Sequence, residues 1–481
     1  MDNSFGCCVG GKFVVTIHET ELKEAIHLGI EKAREQGRPI LVSEVRKAGA
    51  IEALCFFDSG RTDFFGERFY WRDPEGGFYI AGLGIAAQLS SDLAEGRFSY
   101  IGRSWNELIQ GGIIVNPYKE AGLGPLMFGG FSFDPHKQKT ALWSKYPDSL
   151  FHIPRFMLTV AGGEAFLTTN VVCTKHDGIS LFKKVAGERE SLLKNIGTRM
   201  DVEVPSLKEI KEIAAGEWKG TVMEAVTQLQ EGPLKKVVLA RELRLLFESE
   251  VESGAVLGRL ELEQKASFIF SFESGGDSFI GASPERLIKK RGRSVRSACL
   301  AGSIQRGKTG NEDTMLGNQL LSDEKNLKEH QYVVDMIRDA MEKTCDSVVI
   351  PDQPQLMKVR DIQHLYTPVE GIAKESSSLL DIVERLHPTP ALGGLPKEAA
   401  IAKIRELETL DRGLYAAPIG WMDYAGNGEF AVAIRSGLIQ GKEASLFAGC
   451  GVVANSDAES EYLETGLKFR PMLSALGGIK E

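Results

Sequence analysis

The sequence predicts an α+β fold with antiparallel sheets. Strand-like segments come in runs, helical segments come in runs, and few βαβ alternations join them. The 481 residues are 43% hydrophobic and 26% charged. That is an ordinary globular composition, long enough to bury a core of normal size.

ETELKEAIHLGIEKAREQ (19–36) places Leu22, Ile26, Ile30 and Ala33 on one face, as an amphipathic helix does. RFYWRDPEGGFYIAGLG (68–84) reads as strand, turn and strand, and MFGGFSFD (127–134) and RFMLTVAGGEAFLTTNVV (155–172) read as further hairpin material. Residues 181–230 carry a charge-rich helical pattern broken at Pro205. KKVVLARELRLLF (235–247) is a strand, and 267–274, 278–292 and 296–307 look like successive antiparallel strands. LLSDEKNLKEHQYVVDMIRDAMEKT (320–344) reads as one long helix. The loop HPTPALGGLP (387–396) leads into the helix KEAAIAKIRELE (397–408), and GEFAVAIRSGLIQ and ASLFAGCGVVA form a closing hairpin followed by a last helix. The grain of the sequence changes near residue 205–216. This suggests an N-terminal part, 1–205, and a C-terminal region, 217–481.

A formal charge of −9 argues against nucleic acid or an anionic membrane surface as a partner. The seven cysteines (7, 8, 55, 173, 299, 345 and 450) are irregularly spaced without CxxC, which favours reduced thiols over a disulfide framework. The eight histidines show no HExxH and no zinc spacing. MDNSFGCCVGGKFVV has no basic segment leading into an apolar one, and no run of 18 apolar residues occurs. A soluble, cytoplasmic protein is expected. GLGIAAQ (82–88) fits a GxGxxA dinucleotide fingerprint, but no βαβ unit surrounds it and the acidic residue expected further on is missing. It reads instead as a tight turn leaving a strand.

The stretch VANSDAESEYLETGLK (453–468) gathers Asp457, Glu459, Glu461 and Glu464 within eight residues. Ser456 and Glu459 make an S-x-x-E capping box, and a helix N-terminus tolerates acids because its dipole stabilises them. Glu461, Glu464 and Lys468 then share a face, which on its own is an ordinary solvated pattern with an i,i+4 pair. Glu329 changes the reading. It stands one turn before Val333, on the apolar face of its helix, and a carboxylate drawn inward needs a partner. Two inward carboxylates from separate helices, with few sulfur or imidazole ligands available, suit Mg²⁺. Lys236 in KKVVLAR and Glu285 in GASPERL are a second suggestive pair, although an isolated strand Lys or Glu is usually an edge or surface charge.

Taken together and in order, the motifs resemble those of the chorismate-utilising enzymes, the family of anthranilate synthase component I, aminodeoxychorismate synthase, salicylate synthase and isochorismate synthase. The residues that carry the resemblance are KVVLAR (236–241), GASPERL (281–287), LAGSIQRG (300–307), DEKNLKEH (323–330), QHLYTPVEG (363–371), HPTPALGG (387–394), AIRSG (433–437) and AGCGVVANSDAESEYLETGLK (448–468). They cover residues 217–481 strongly and the first 200 loosely.

The resemblance implies one large unit of two packed, mainly antiparallel sheets flanked by helices, with the two halves interleaved. Lys236 falls where isochorismate and salicylate synthases carry a water-activating lysine and anthranilate synthases a glutamine. Ala301 falls where aminodeoxychorismate synthases can carry a nucleophilic lysine, and HPTPALGG is the form found in isochorismate synthases. The resemblance therefore points within the family to isochorismate synthase, and the length of the chain to the menaquinone branch.

It implies Lys236 as base and Glu285 as acid, with Mg²⁺ held by Glu329 and Glu464 and Glu461 beside them. Arg435 would meet a substrate carboxylate. Ala301, Gly302, Ser303, His387, Gly449, Gly451 and Lys468 would surround the substrate, and no glutamine amidotransferase partner is expected. Ser303 stands where threonine is commonest and Cys450 where alanine is usual. Salicylate synthase, an aminating synthase and a non-catalytic relative are the competing readings. The HPTPALGG loop counts against the first, Lys236 against the second, and the presence of every implied catalytic residue against the third.

Overall fold

The computed structural model describes residues 19–197 and 202–479, so Cys7, Cys8 and the N-terminal stretch discussed above lie outside the described residues. The strands join into two sheets that share one strand. The first sheet runs Ile113–Val115, Ile40–Ala48, Glu164–Cys173, Ser149–Ala161, Phe78–Ser91, Arg68–Arg72, Phe268–Ser274, Asp277–Ser283, Ser436–Gln440, Glu443–Val452 and Lys236–Phe247. Its far edge is divided between Leu207–Glu212 and Gly394–Leu395. The second sheet runs Ser149–Ala161, Leu126–Phe131, Pro418–Asp423, Gly428–Val432, Arg286–Arg291, Ser294–Gln305 and Ile362–Ala373, with Cys345–Val349 and Gln355–Lys358 on its edge. Of all these pairings, the one between Ile40–Ala48 and Ile113–Val115 is parallel and the rest are antiparallel.

Ser149–Ala161 belongs to both sheets because it is long. Residues 149–152 pair with Leu126–Phe131, residues 156–161 pair with Glu164–Cys173, and the opposite edge is taken by Phe78–Ser91. Side-chain alternation then fills both faces of the first sheet. In Arg68–Arg72, Phe69 stacks on Phe128 of the second sheet at 4.4 Å and Trp71 lies 5.0 Å from Phe268, so the odd positions build the layer between the sheets. Tyr70 points the other way, toward Phe57 of the helix Ala53–Ser59. Strands buried on both faces read as continuous apolar runs, as these do. Glu19–Gln36 covers the outer face with Leu22, Ile26, Ile30 and Ala33, all buried.

The parts before and after residue 205 pair directly, Arg68–Arg72 with Phe268–Ser274 and Leu126–Phe131 with Pro418–Asp423. A buried, bidentate Arg68–Glu273 pair (2.7 and 2.9 Å), completed by the Ser253 hydroxyl, reinforces the first junction. Among the described residues no helix is long and apolar enough to cross a membrane.

Two expectations about local structure are corrected. GLGIAAQ is not a turn: it lies inside the strand Phe78–Ser91, which slips register between Ile85 and Ala87. Gly84, at φ +67°, takes up the irregularity without ending the strand, and a Cβ there would meet the Phe64 ring at 2.8 Å. The long helix expected over 320–344 is two helices, Gly310–Ser322 and Glu324–Thr344. Asp323 divides them, its carboxylate accepting the Asn326 N–H at 2.8 Å and so capping the second.

The aromatic layer holds one group that makes the fold acid-sensitive. His152 packs 4.8 Å from the Phe272 ring with neither ring nitrogen partnered, and burial pushes its imidazole from the ordinary 6.5 down to about 4. As pH falls through 6.5 the unfolded chain takes a proton that the folded one refuses until about 4, so stability is lost across that window. The loss is on the order of 3 kcal/mol. Denaturant melts of His152→Phe against the parent between these two values should show a shallower acid slope for the variant; parallel curves would clear His152 of the effect.

Candidate active site

The second sheet and the far end of the first enclose a cleft whose walls come from ten separate parts of the chain. Lys236 begins the strand Lys236–Phe247, and its register against Glu443–Val452 sets Val238 opposite Gly451 and Ala240 opposite Gly449. The Lys236 side chain passes over Gly451, where a Cβ would lie 2.5 Å from Lys236 Cε; only glycine leaves that path open. Its Nζ lies 3.4 Å from Glu329 Oε2, on the helix Glu324–Thr344. Across the strand, Lys236 pairs with Leu395, so the HPTPALGG loop returns beside Lys236.

Glu285 sits in the link between Asp277–Ser283 and Arg286–Arg291. The Ser283 hydroxyl accepts its N–H at 3.2 Å and donates to the Val432 carbonyl at 2.6 Å, while the Val432 N–H reaches the Glu285 carbonyl at 3.0 Å. The carboxyl is 5% exposed. Burial raises it to about 8, against the opposing pull of Arg435, Lys468 and Lys236, so Glu285 is protonated at neutral pH.

Arg435 is held at φ +52°, a strained position for a residue with a Cβ, while its carbonyl accepts the Ala282 N–H at 3.0 Å. Its guanidinium makes no hydrogen bond among the described residues and opens to the cleft. Lys468 donates to the Gly449 carbonyl (2.8 Å) and pairs with Glu464 (2.6 Å), whose carboxyl that ammonium holds below its usual range. Glu461 accepts the Ser456 hydroxyl at 2.7 Å, and burial raises its carboxyl. Ala301, Gly302 and Ser303 form another wall. There the pairing with Ile362–Ala373 slips, setting Ala301 and Gly302 opposite the single residue Leu365 with Gly302 at φ +83°.

The capping box expected at Ser456 and Glu459 is not formed. Asp457 caps the helix Ala458–Ala475, accepting the Ser460 N–H at 2.9 Å. The Ser456 hydroxyl is occupied instead by the Val453 N–H and by Glu461. Lys236, Glu285, Glu329, Glu461, Glu464, Arg435, Lys468, Ala301, Gly302, Ser303, Gly449 and Gly451 all line the one cleft. His387 does not. Its ring turns away to Phe133, accepted by the Phe133 carbonyl at 3.1 Å, and Ala391 and Leu392 from the same loop reach the cleft in its place.

Among the wall residues that the sequence reading missed, Arg412, Tyr415 and His364 carry polar groups. Arg412, paired with Glu408 in a buried ion pair, donates to the carbonyls of Val238 (2.7 Å) and Leu392 (3.1 Å), tying the Lys236 strand to the loop. Tyr415 stands beside Gly449. His364 is buried with Nε2 unpartnered, and burial together with Arg435 and Lys468 pushes it to about 3, so it stays neutral. The motifs DRGLY and QHLY contain them, but nothing local marks these residues as cleft-facing.

Among the described residues no three His, Cys, Asp or Glu side chains converge as a ready metal cage. The donors still suit Mg²⁺, which binds through one or two carboxylates and keeps several waters. Glu329 and Glu464 each face a lysine Nζ in the structure, and both line the cleft.

A lysine, a protonated carboxyl, further carboxylates and an arginine thus share one cleft on two joined, mainly antiparallel sheets. A family model for chorismate binding enzymes matches residues 28–477, and the chain belongs to that family. It is 41% identical to isochorismate synthase MenF of Bacillus subtilis over 97% of this chain and 99% of the relative. It is 34% identical to the salicylate biosynthesis isochorismate synthase of Pseudomonas aeruginosa over 96% of each. The fold matches that of MenF, the menaquinone-specific isochorismate synthase from Escherichia coli, with a TM-score of 0.77 over 94% of this chain and 99% of that one, at 24% identity.

Proposed function

We propose that the protein is an isochorismate synthase serving menaquinone biosynthesis, a cytoplasmic enzyme that works without an amidotransferase subunit. The observation that carries the reaction is the pairing in one cleft of Lys236 with a Glu285 that is protonated at neutral pH. The full-length similarity to the Bacillus subtilis enzyme supports the pathway.

Chorismate is a dicarboxylate with a hydroxyl at C4 of a cyclohexadiene ring. Lys236 takes a proton from a water that attacks C2, the double bonds shift, and Glu285 gives its proton to the C4 hydroxyl as it leaves as water. The buried Glu285 carboxyl keeps its proton near neutral pH and so has one to give the leaving group. Arg435 takes one substrate carboxylate in a bidentate pair, and the backbone at Gly302, Gly449 and Gly451 allows close approach. Glu329 and Glu464 would hold Mg²⁺, with Glu461 behind them, and the ion would supply positive charge for the second carboxylate, which a protein of net charge −9 needs. His364, neutral and unpartnered at Nε2, offers a hydrogen bond to a substrate hydroxyl.

Product analysis by HPLC of the purified protein with chorismate and Mg²⁺, with and without ammonium and with EDTA, tests the proposal. Isochorismate that requires Mg²⁺ and ignores ammonium is expected. Salicylate with pyruvate, an amino product, or no turnover would each overturn it. Glu329→Gln is expected to raise the Mg²⁺ concentration for half-maximal rate by at least about tenfold; an unchanged requirement would remove Glu329 as a ligand.

A further inference from the structure

Next to Glu329, on the buried side of the same helix, is His330, 3% exposed. Its Nδ1–H donates to the Ala301 carbonyl at 2.9 Å, and its Nε2 accepts the Thr367 hydroxyl at 2.7 Å. These contacts join three elements: the helix Glu324–Thr344, the bulge of Ser294–Gln305 at the cleft wall, and Ile362–Ala373. Cys299, under the bulge, closes the same contact by donating to the His330 carbonyl at 3.6 Å.

Both things joined by His330 need a fixed direction. Among the described residues, the Glu329 carboxylate is steered only by its helix and a 3.4 Å contact to Lys236. The Ala301–Gly302 peptide ends in a glycine at φ +83°, a residue free to adopt either orientation. Because the peptide is planar and trans, holding the Ala301 carbonyl toward His330 also sets the direction of the Gly302 N–H. The same glycine packs against Asn326, one turn before Glu329, where a Cβ would lie 3.2 Å from Asn326 Oδ1.

We infer that His330 is a positioning residue that sets the distance between the Glu329 carboxylate and the Ala301–Ser303 wall, and so tunes cation and substrate binding without touching either. The inference rests on the reading of Glu329 as a magnesium ligand. Groups that orient metal ligands from behind cost about 10-fold or more in affinity when removed.

Four variants test it: His330→Leu, which loses both hydrogen bonds; Thr367→Val, which loses one; His330→Asn, whose amide can still reach the Ala301 carbonyl; and Val333→Ala, a packing control on the same helix. The first readout is the Mg²⁺ concentration giving half of the rise in Tm, measured without chorismate. The second is KM and kcat at saturating Mg²⁺. His330→Leu and Thr367→Val should raise the Mg²⁺ midpoint, His330→Leu by about tenfold, and should raise KM more than they lower kcat. His330→Asn should recover most of the loss, and Val333→Ala should lower Tm without moving the midpoint.

A lower Tm with unchanged midpoint and KM in Thr367→Val and the His330 variants would reduce His330 to a packing residue. Should His330→Leu fail to fold, Thr367→Val and His330→Asn decide alone. A parent protein that turns over chorismate fully in EDTA would instead overturn the magnesium reading. The KM comparison would then still judge His330, and an unchanged KM would overturn its role.

Discussion

Lys236→Ala is expected to lower kcat roughly a thousandfold, in the middle of the range for loss of a positioned base, while leaving the fold intact. Its one ion pair among the described residues is the 3.4 Å contact with Glu329, whose partly exposed carboxylate water can take over once the lysine is gone, so Tm should move little. The alanine also leaves space above Gly451, where the lysine stem now lies. Steady-state rates across pH, beside a thermal melt, separate the outcomes. Retained activity with an unchanged pH profile would remove Lys236 as the base; a collapse of Tm would make the loss of activity uninformative and call for Lys236→Gln.

Glu285→Gln should cost a comparable factor in rate and act in the opposite direction on stability. The carboxyl sits at about 8 in the folded protein, against an ordinary 4.5. Between those values the unfolded chain has released its proton and the folded one has kept it. The residue's contribution is thus full below about 4.5 and is lost as pH rises toward about 8. At neutral pH the loss is roughly 3 kcal/mol, a cost that a neutral glutamine of the same shape does not carry. The variant should therefore be nearly inactive and melt a few degrees higher than the parent near pH 8, with the difference fading toward pH 4.5. In the parent, the alkaline limb of kcat/KM should fall near pH 8, where Glu285 gives up its proton. An alkaline limb unmoved by the substitution would show that another group limits the rate there.

Much of the candidate site was legible because its residues sit in short, ordered motifs that together resemble those of the chorismate-utilising enzymes. Lys236 opens an apolar strand, Glu285 lies at a strand junction, and Glu329 is in phase with Val333 and Ile337 on one helix. His364, Arg412 and Tyr415 were not legible, since only pairing between strands distant in sequence turns them to the cleft. His387 was placed there by its motif, yet the loop reverses between Thr389 and Gly393, so Ala391 and Leu392 face the cleft and His387 faces Phe133. Ser456 and Asp457 are adjacent and both good helix caps. Asp457 caps because the Ser456 hydroxyl is engaged by Val453 and Glu461, a competition that no single-helix pattern reveals.

The sequence by itself determined the class of fold and most strands and helices, because side-chain periodicity and cap chemistry act over a few residues; the proposed acid and base came from the resemblance of its motifs to those of the chorismate-utilising enzymes. Only the tertiary structure decided that Ser149–Ala161 would serve two sheets, that GLGIAAQ would bulge rather than turn, and that Glu285 would keep its proton. Those outcomes depend on which strands pair and on how much water is excluded from a carboxyl by neighbours far along the chain. Burial and long-range register are properties of the assembled chain, and no local stretch of it carries them.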